Sequence, residues 1–252
     1  MAPSSVFVSV RNVTARYRRR EVFRDLTFDL RTGQSLGVIG ANGAGKTTLL
    51  RMLVGCLSPA VGDVRIGGFR PRDATLRTSV AYFAGAATLP PNVRATAWGT
   101  LGSGEATLAD RRRIRALSQG MKQLLGLRTV LSRHPLQLIV LDEPWEGLDT
   151  ESSRWLNATL ESKRDRGAAV VVSSHRLHDL AGFCDEYLFL MPHEATLMKA
   201  HEIARVGPVT AALLTDTFDK LRERPKAPLE QPVQETARIR DSRTVLDSDG
   251  VA

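Results

Sequence analysis

The chain has 252 residues, of which 42% are hydrophobic and 25% charged, and its formal net charge is +8. That composition fits an ordinary globular protein of one large or two small domains. No run of 18 apolar residues occurs, which excludes a membrane-crossing helix, and the two cysteines, Cys56 and Cys184, match no metal or redox spacing.

The first residues lack a basic stretch leading into an apolar one, which predicts no signal peptide and two reduced thiols. Residues 6–10 alternate as a first strand and 22–30 as a second, with Tyr17 between them on an arginine-rich turn. Residues 36–39 read as a buried strand, 47–54 as a helix, 59–63 as a turn, and 64–66 and 79–83 as further strands. From residue 85 to about 117 the pattern changes to a small helical insertion, with helices expected over 93–101 and 107–117. Residues 120–132 carry Met121, Leu124, Leu125, Leu127 and Leu131 at helical spacing. Then come a strand at 136–141, a helix at 152–166, an apolar β-branched strand at 168–172, a helix at 177–183 and a strand at 186–191. Strands and helices in alternation predict an α/β domain around a mainly parallel sheet, with antiparallel strands at the N-terminus and a short helical subdomain at about 85–132. The domain is expected to span 1–221. Beyond it, Pro225, Pro228 and Pro232 among mixed charges predict a disordered tail over 222–252.

The charge is uneven. Residues 219–252 hold seven basic and seven acidic side chains, so the excess lies in 1–218, with clusters at Arg18-Arg19-Arg20 and Arg111-Arg112-Arg113. A solvated arginine-rich surface, an anionic membrane surface and a nucleic-acid face all fit. The absence of aromatics around the Arg111 cluster argues against single-strand nucleic-acid binding.

Four motifs carry chemistry. Gly40-Ala41-Asn42-Gly43-Ala44-Gly45-Lys46-Thr47 reads G-x-x-x-x-G-K-T between a strand and a helix, the setting in which curled backbone N–H groups and a helix N-terminus hold phosphates. Lys46 would reach the β- and γ-phosphates and Thr47 would ligate Mg²⁺. Asp142 and Glu143 end an apolar strand, placing one carboxylate for the metal and one as general base toward an attacking water. Leu117-Ser118-Gln119-Gly120-Met121-Lys122-Gln123 offers either a second anion nest or a plain serine N-cap, and the two are compatible. His175 follows a buried strand on the side where ligands bind in doubly wound sheets, although a histidine there is commonly only structural.

Together these motifs resemble the nucleotide-binding subunit of ATP-binding-cassette transporters, over about residues 6–205. Lys46 to Ser118 is 72 positions, Ser118 to Asp142 is 24 and Asp142 to His175 is 33; the first is short for that family. The resemblance implies a P-loop ATPase that hydrolyses ATP with Mg²⁺. Gly40 to Thr47, together with Thr48, matches the Walker A loop, Tyr17 the aromatic that stacks on adenine, and 117–123 the signature. Asp142 and Glu143 match the Walker B pair, Gly147-Leu148-Asp149 the D-loop and His175 the switch histidine. It further implies a second cassette subunit, identical or not, whose nucleotide Ser118 and Gly120 would serve. Integral membrane permease subunits, a peripheral place on the cytoplasmic face and no nucleic-acid partner also follow. The signature LSQGMKQ is most similar to those of bacterial exporters with separate permeases.

Two departures stand out. Where the family carries a glutamine after the strand at 80–83, this chain has Gly85, and no glutamine occurs between Thr48 and Ser118. The insertion itself is short. Both bear on coupling to a permease and predict slow hydrolysis. A regulatory or scaffold ATPase without a permease, or a weakened cassette of a heterodimer, is the alternative expectation. A nucleic-acid ATPase is disfavoured by the single phosphate loop, and a simple phosphate-loop kinase leaves 117–123 and His175 unexplained.

Overall fold

The structure, a computed structural model, describes residues 5–17, 20–101, 110–133, 135–191 and 194–223. Two sheets organise it. β1 (Val6–Tyr17) lies between β2 (Arg20–Arg31) and β4 (Val61–Ile66) in an antiparallel sheet. The second sheet has the order β5-β6-β7-β3-β8-β9, from β3 (Ser35–Gly40), β5 (Val80–Phe83), β6 (Leu138–Asp142), β7 (Ala169–Ser174), β8 (Glu186–Met191) and β9 (Glu194–Lys199). Its first five strands run parallel, and β9 returns antiparallel along β8.

β3, β6, β7 and β8 are buried at every position, as strands covered on both faces must be. Their side chains divide by alternation. Leu36, Val38, Leu138, Val140 and Val171 face the antiparallel sheet and helix α1 (Lys46–Leu53). Ile39, Ile139, Leu141, Val170 and Val172 face the opposite core, shared with α3 (Gln119–Leu131), α4 (Thr150–Asp165) and α7 (Ala211–Glu223). The three strand ends that carry Gly40, Asp142 and Ser174 emerge at one edge of the sheet, on neighbouring or next-but-one strands.

Several expectations change. β1 runs on to Tyr17 because its register shifts between Val10 and Val13, where Asn12 takes φ 49. That bulge restarts the alternation, with Val13 and Ala15 buried beyond it, and hides the strand's second half from a simple period-2 pattern. The helix expected over 93–101 shortens to α2 (Ala95–Gly99). The basic helix expected over 107–117 does not form in its described part; residues 107–109 lie outside the described residues. There the backbone pairs sideways instead: Ala95 N–H donates to Arg112 O, Thr96 N–H to Asp110 O and Ile114 N–H to Val93 O, leaving only a 3₁₀ turn at Ile114–Ala116. The helix at 177–183 contracts to α5 (Leu177–Leu180), ended by extended Ala181 and by Gly182 at φ 70. β9, α6 (Ala200–Ile203) and α7 occupy a stretch for which the sequence suggested no element. α7 extends through Glu223, so the first two residues of the expected tail are helical; 224–252 lie outside the described residues.

Candidate functional site

The phosphate-loop segment leaves β3 at Gly40 and enters α1 at Lys46. The turn is closed by Ala44 N–H donating to Ala41 O at 3.1 Å. Gly45 has φ +106, and a Cβ there would lie 2.5 Å from Val22 Cγ1, so both conformation and space demand glycine. The first turn of α1 thus begins without a side-chain cap, at a cavity of about 970 Å³ where its unpaired first N–H groups are available to an anion. Asn42, Gly43, Ala44, Gly45, Lys46, Thr47 and Thr48 line that cavity.

The polar groups at its floor come from the start of α1 and the end of β6, and β3 and β7 brace them from behind. Lys46 is buried, donates to Gly40 O at 2.8 Å and lies 3.7 Å from Glu143 Oε1. The Thr47 hydroxyl donates to Asp142 Oδ2 at 2.6 Å across the intervening strand β7. β7 closes the gap: the Ser173 hydroxyl donates to Asp142 Oδ1, and Ser173 O and Oγ both accept from Glu143 N–H, at 3.2 and 3.1 Å. Glu143 itself sits at φ 47, a left-handed value uncommon for a side chain of its size. Its carboxylate accepts from His175 N–H at 3.1 Å, and His175 Nδ1 is 2.9 Å from the same oxygen.

Lys46, Thr47, Asp142, Glu143 and His175 are therefore one connected cluster. The arrangement can hold a polyphosphate on backbone N–H groups and an ammonium, with a carboxylate held beside it to take a proton. A magnesium ion suits the Thr47–Asp142 pair. Among the described residues no cage of three acidic, histidine or cysteine side chains exists. Mg²⁺ is ordinarily held by one or two carboxylates together with phosphate oxygens and water. Gly40 lies beneath the loop as the acceptor of Lys46.

Other expected residues lie elsewhere. Ser118 caps α3 by accepting from Met121 N–H at 3.2 Å, and Gly120 packs so closely that a Cβ would meet Gly147 O at 2.4 Å. Neither lines the cavity. Tyr17 closes β1 opposite Arg20; its side chain lies outside the described residues. Gly85 does line the cavity, at φ 90 and ψ 165, a region open essentially to glycine alone.

Residues that motif reading passed over complete the site. Ser173 and Gln123 were each inside a noted motif without a role of their own. Gln123, 2% exposed, donates from Nε2 to Glu143 O and Pro144 O and accepts Ala86 N–H on Oε1. α7 brings Phe218, Leu221 and Arg222 to the cavity wall, with Phe218 stacked at 6.2 Å on Phe189. The spacing of Leu214, Phe218 and Leu221 is the helical signal that would have found α7.

Residues 23–146 match the family model described as ABC transporter. An uncharacterized ABC transporter ATP-binding protein, YhcH of Bacillus subtilis strain 168, is 34% identical over 203 residues, covering 73% of this chain and 66% of that protein. The SkfA peptide export ATP-binding protein SkfE of the same organism is 30% identical over 204 residues, covering 73% and 84%. The zinc import ATP-binding protein ZnuC of Yersinia enterocolitica is 34% identical over 200 residues, covering 75% and 78%. Among solved structures, the ATP-binding subunit of an ABC transporter superposes with a TM-score of 0.73 at 23% identity, covering 83% of this chain and 98% of that one. A dimeric ATP-binding cassette in a post-hydrolysis state with ADP and Pi gives 0.65 at 19% identity, covering 76% and 98%. At those identities the structures speak to the fold alone.

Proposed function

Since the chain belongs to the ATP-binding subunits of ABC transporters and is an ATPase of that kind, we propose that two such cassettes close on ATP and reopen on hydrolysis, and that this motion drives transport through membrane permease subunits. The observation that carries the reading is the convergence of Lys46, Thr47, Asp142 and Glu143 on one cavity beside the phosphate loop. Backbone N–H groups of 43–47 and the Lys46 ammonium hold the β- and γ-phosphates. Thr47 and Asp142 would hold Mg²⁺, which when bound neutralises charge on the β- and γ-phosphate oxygens. Glu143 accepts the proton of the attacking water, and His175, 2.9 Å from its carboxylate, orients it. Tyr17 stacks on the adenine. Ser118 and Gly120, which lie outside this chain's cavity, serve the nucleotide of a second cassette, identical or not. The protein then sits peripherally on the cytoplasmic face of a membrane through its permease. Gly85, with no side chain to offer metal or water, makes turnover slow.

Export is the direction we favour, on the signature LSQGMKQ and on kinship with a peptide-export protein. Import is the second reading, favoured by kinship with a zinc-import protein, 34% identical against 30% for the peptide-export protein. The purified full chain should hydrolyse ATP, and Glu143→Gln should lower turnover by about 100-fold or more while keeping nucleotide affinity. Equal turnover in the two would overturn the mechanism. Transport in vesicles reconstituted with the permease subunits that co-purify with this chain, scored for direction, decides between export and import.

A further inference from the structure

We propose that Gln123 is a positioning residue for hydrolysis, whose buried side-chain amide ties the Gly85–Ala86 loop to the backbone that holds Glu143. This rests on the ATPase mechanism above and adds to it a residue that mechanism does not use.

Gln123 lies near the start of α3 and is 2% exposed. Its amide orientation follows from its partners, since two carbonyls need donors and one N–H needs an acceptor. Nε2 donates to Glu143 O at 3.0 Å and to Pro144 O at 3.1 Å, while Oε1 accepts Ala86 N–H at 3.0 Å. Those two carbonyls come just after β6 ends at Asp142, where Pro144, having no N–H, cannot continue a ladder. Gln123 substitutes for sheet pairing there. Glu143 is consequently held on both sides: Ser173 takes its N–H, and Gln123 takes its C=O. That double grip keeps φ at 47, from which the carboxylate reaches His175 N–H and approaches Lys46. A general base must lie within about 3 Å of its proton, so a small rotation of this peptide would remove it from the reaction.

The other end of the amide reaches the loop that lines the cavity at Gly85. Because Gly85 has no side chain, the bridge from that loop to β6 is made from α3. The same helix is capped by Ser118, a little over one turn before Gln123, so displacement at its N-terminus is felt by Glu143 through the hydrogen bonds of this one side chain.

The test measures ATP turnover, nucleotide affinity with a fluorescent ATP analogue, and thermal stability on the full chain carrying Gln123→Met or Gln123→Glu. The methionine keeps size and removes all three bonds. It should lower kcat about tenfold or more while the dissociation constant for the analogue stays within about twofold. The glutamate, when ionised, cannot donate to either carbonyl; when protonated it restores one bond. Its turnover relative to the unaltered chain should therefore climb as pH falls. A folded methionine variant with kcat within about twofold of normal overturns the proposal, as does loss of analogue affinity in step with kcat, which marks a merely structural residue. If the methionine variant does not fold, a pH-independent ratio for the glutamate variant overturns it. An unaltered chain with no turnover above its Glu143→Gln variant overturns the ATPase mechanism instead, before any Gln123 variant is measured.

Discussion

Gly45 adopts φ +106 within 2.5 Å of Val22 and 3.1 Å of Phe23 for a hypothetical Cβ. Gly45→Ala must shift the loop or the β2 side chains beneath it, so nucleotide affinity should fall by about tenfold or more. Titration with a fluorescent nucleotide checks this; unchanged affinity would mean that the loop relaxes freely. Lys46, Thr47 and Asp142 were legible in the sequence because their chemistry is encoded by local spacing around a strand end. Ser173 and Gln123 were not. Ser173 and its neighbour Ser174 look alike in sequence, yet strand alternation sends Ser173 to Asp142 and Ser174 to Arg176 O and Asp179. Gln123 acts on residues 20 and 37 positions away, a relation that exists only once α3 has docked.

At the level of elements, the strands buried on both faces were the easiest to see, since an unbroken apolar run admits few other readings. β9 was hidden because it is an edge strand with most positions half-exposed and with Ala195, Leu197, Met198 and Lys199 that read equally well as helix. Its pairing with β8 has a cost at one end. Glu186, opposite Lys199, is 7% exposed, and its Oε2 finds no hydrogen-bond partner among the described residues. Burial pushes its carboxyl above the usual range, against partial relief from Lys199. An acid raised in this way stabilises the fold while protonated, below its unfolded value, and loses that contribution as pH rises through the folded one. Glu186→Gln should therefore raise the melting temperature at pH 7 by about 2 °C, with the gain vanishing toward pH 4. Scanning fluorimetry at both pH values reads it, and a lower melting temperature at pH 7 would mean that Lys199 outweighs desolvation.

On the scale of the whole molecule, the separation of Ser118 and Gly120 from the cavity of their own chain invites a complementation test. A chain carrying Ser118→Arg keeps its phosphate loop, and one carrying Lys46→Ala keeps its α3 N-terminus. Each alone should be nearly inactive. Mixed, a dimer that shares its sites would hold one undamaged site, and turnover should rise well above either parent. Absence of any rise, with mixed dimers demonstrated by affinity pull-down, would refute the shared-site arrangement. The Arg111-Arg112-Arg113 cluster has a more modest explanation. Arg113 and Arg115 donate to Asn92 and so hold the short 110–116 segment against 92–96, while Arg112 pairs with Asp110 within that segment. The sequence showed the cluster but not this use of Arg113 and Arg115, because their partners are the backbone and amide oxygens of Asn92 rather than charges.

The central strand β3 has consequences for how this protein is made. Its two neighbours are β7 and β8, and Ser35 bonds to Asp185 across a separation of 150 residues. The cavity wall is completed by Phe218, Leu221 and Arg222. A ribosome adding roughly 5–20 residues per second exposes the phosphate loop for many seconds before the strands that flank it exist. During that interval β3 is an apolar segment with two open edges. The full nucleotide cavity is not available to protect the nascent chain during that interval, since part of its wall comes from α7. The complete ATP cavity therefore cannot form until the chain through α7 has emerged and packed.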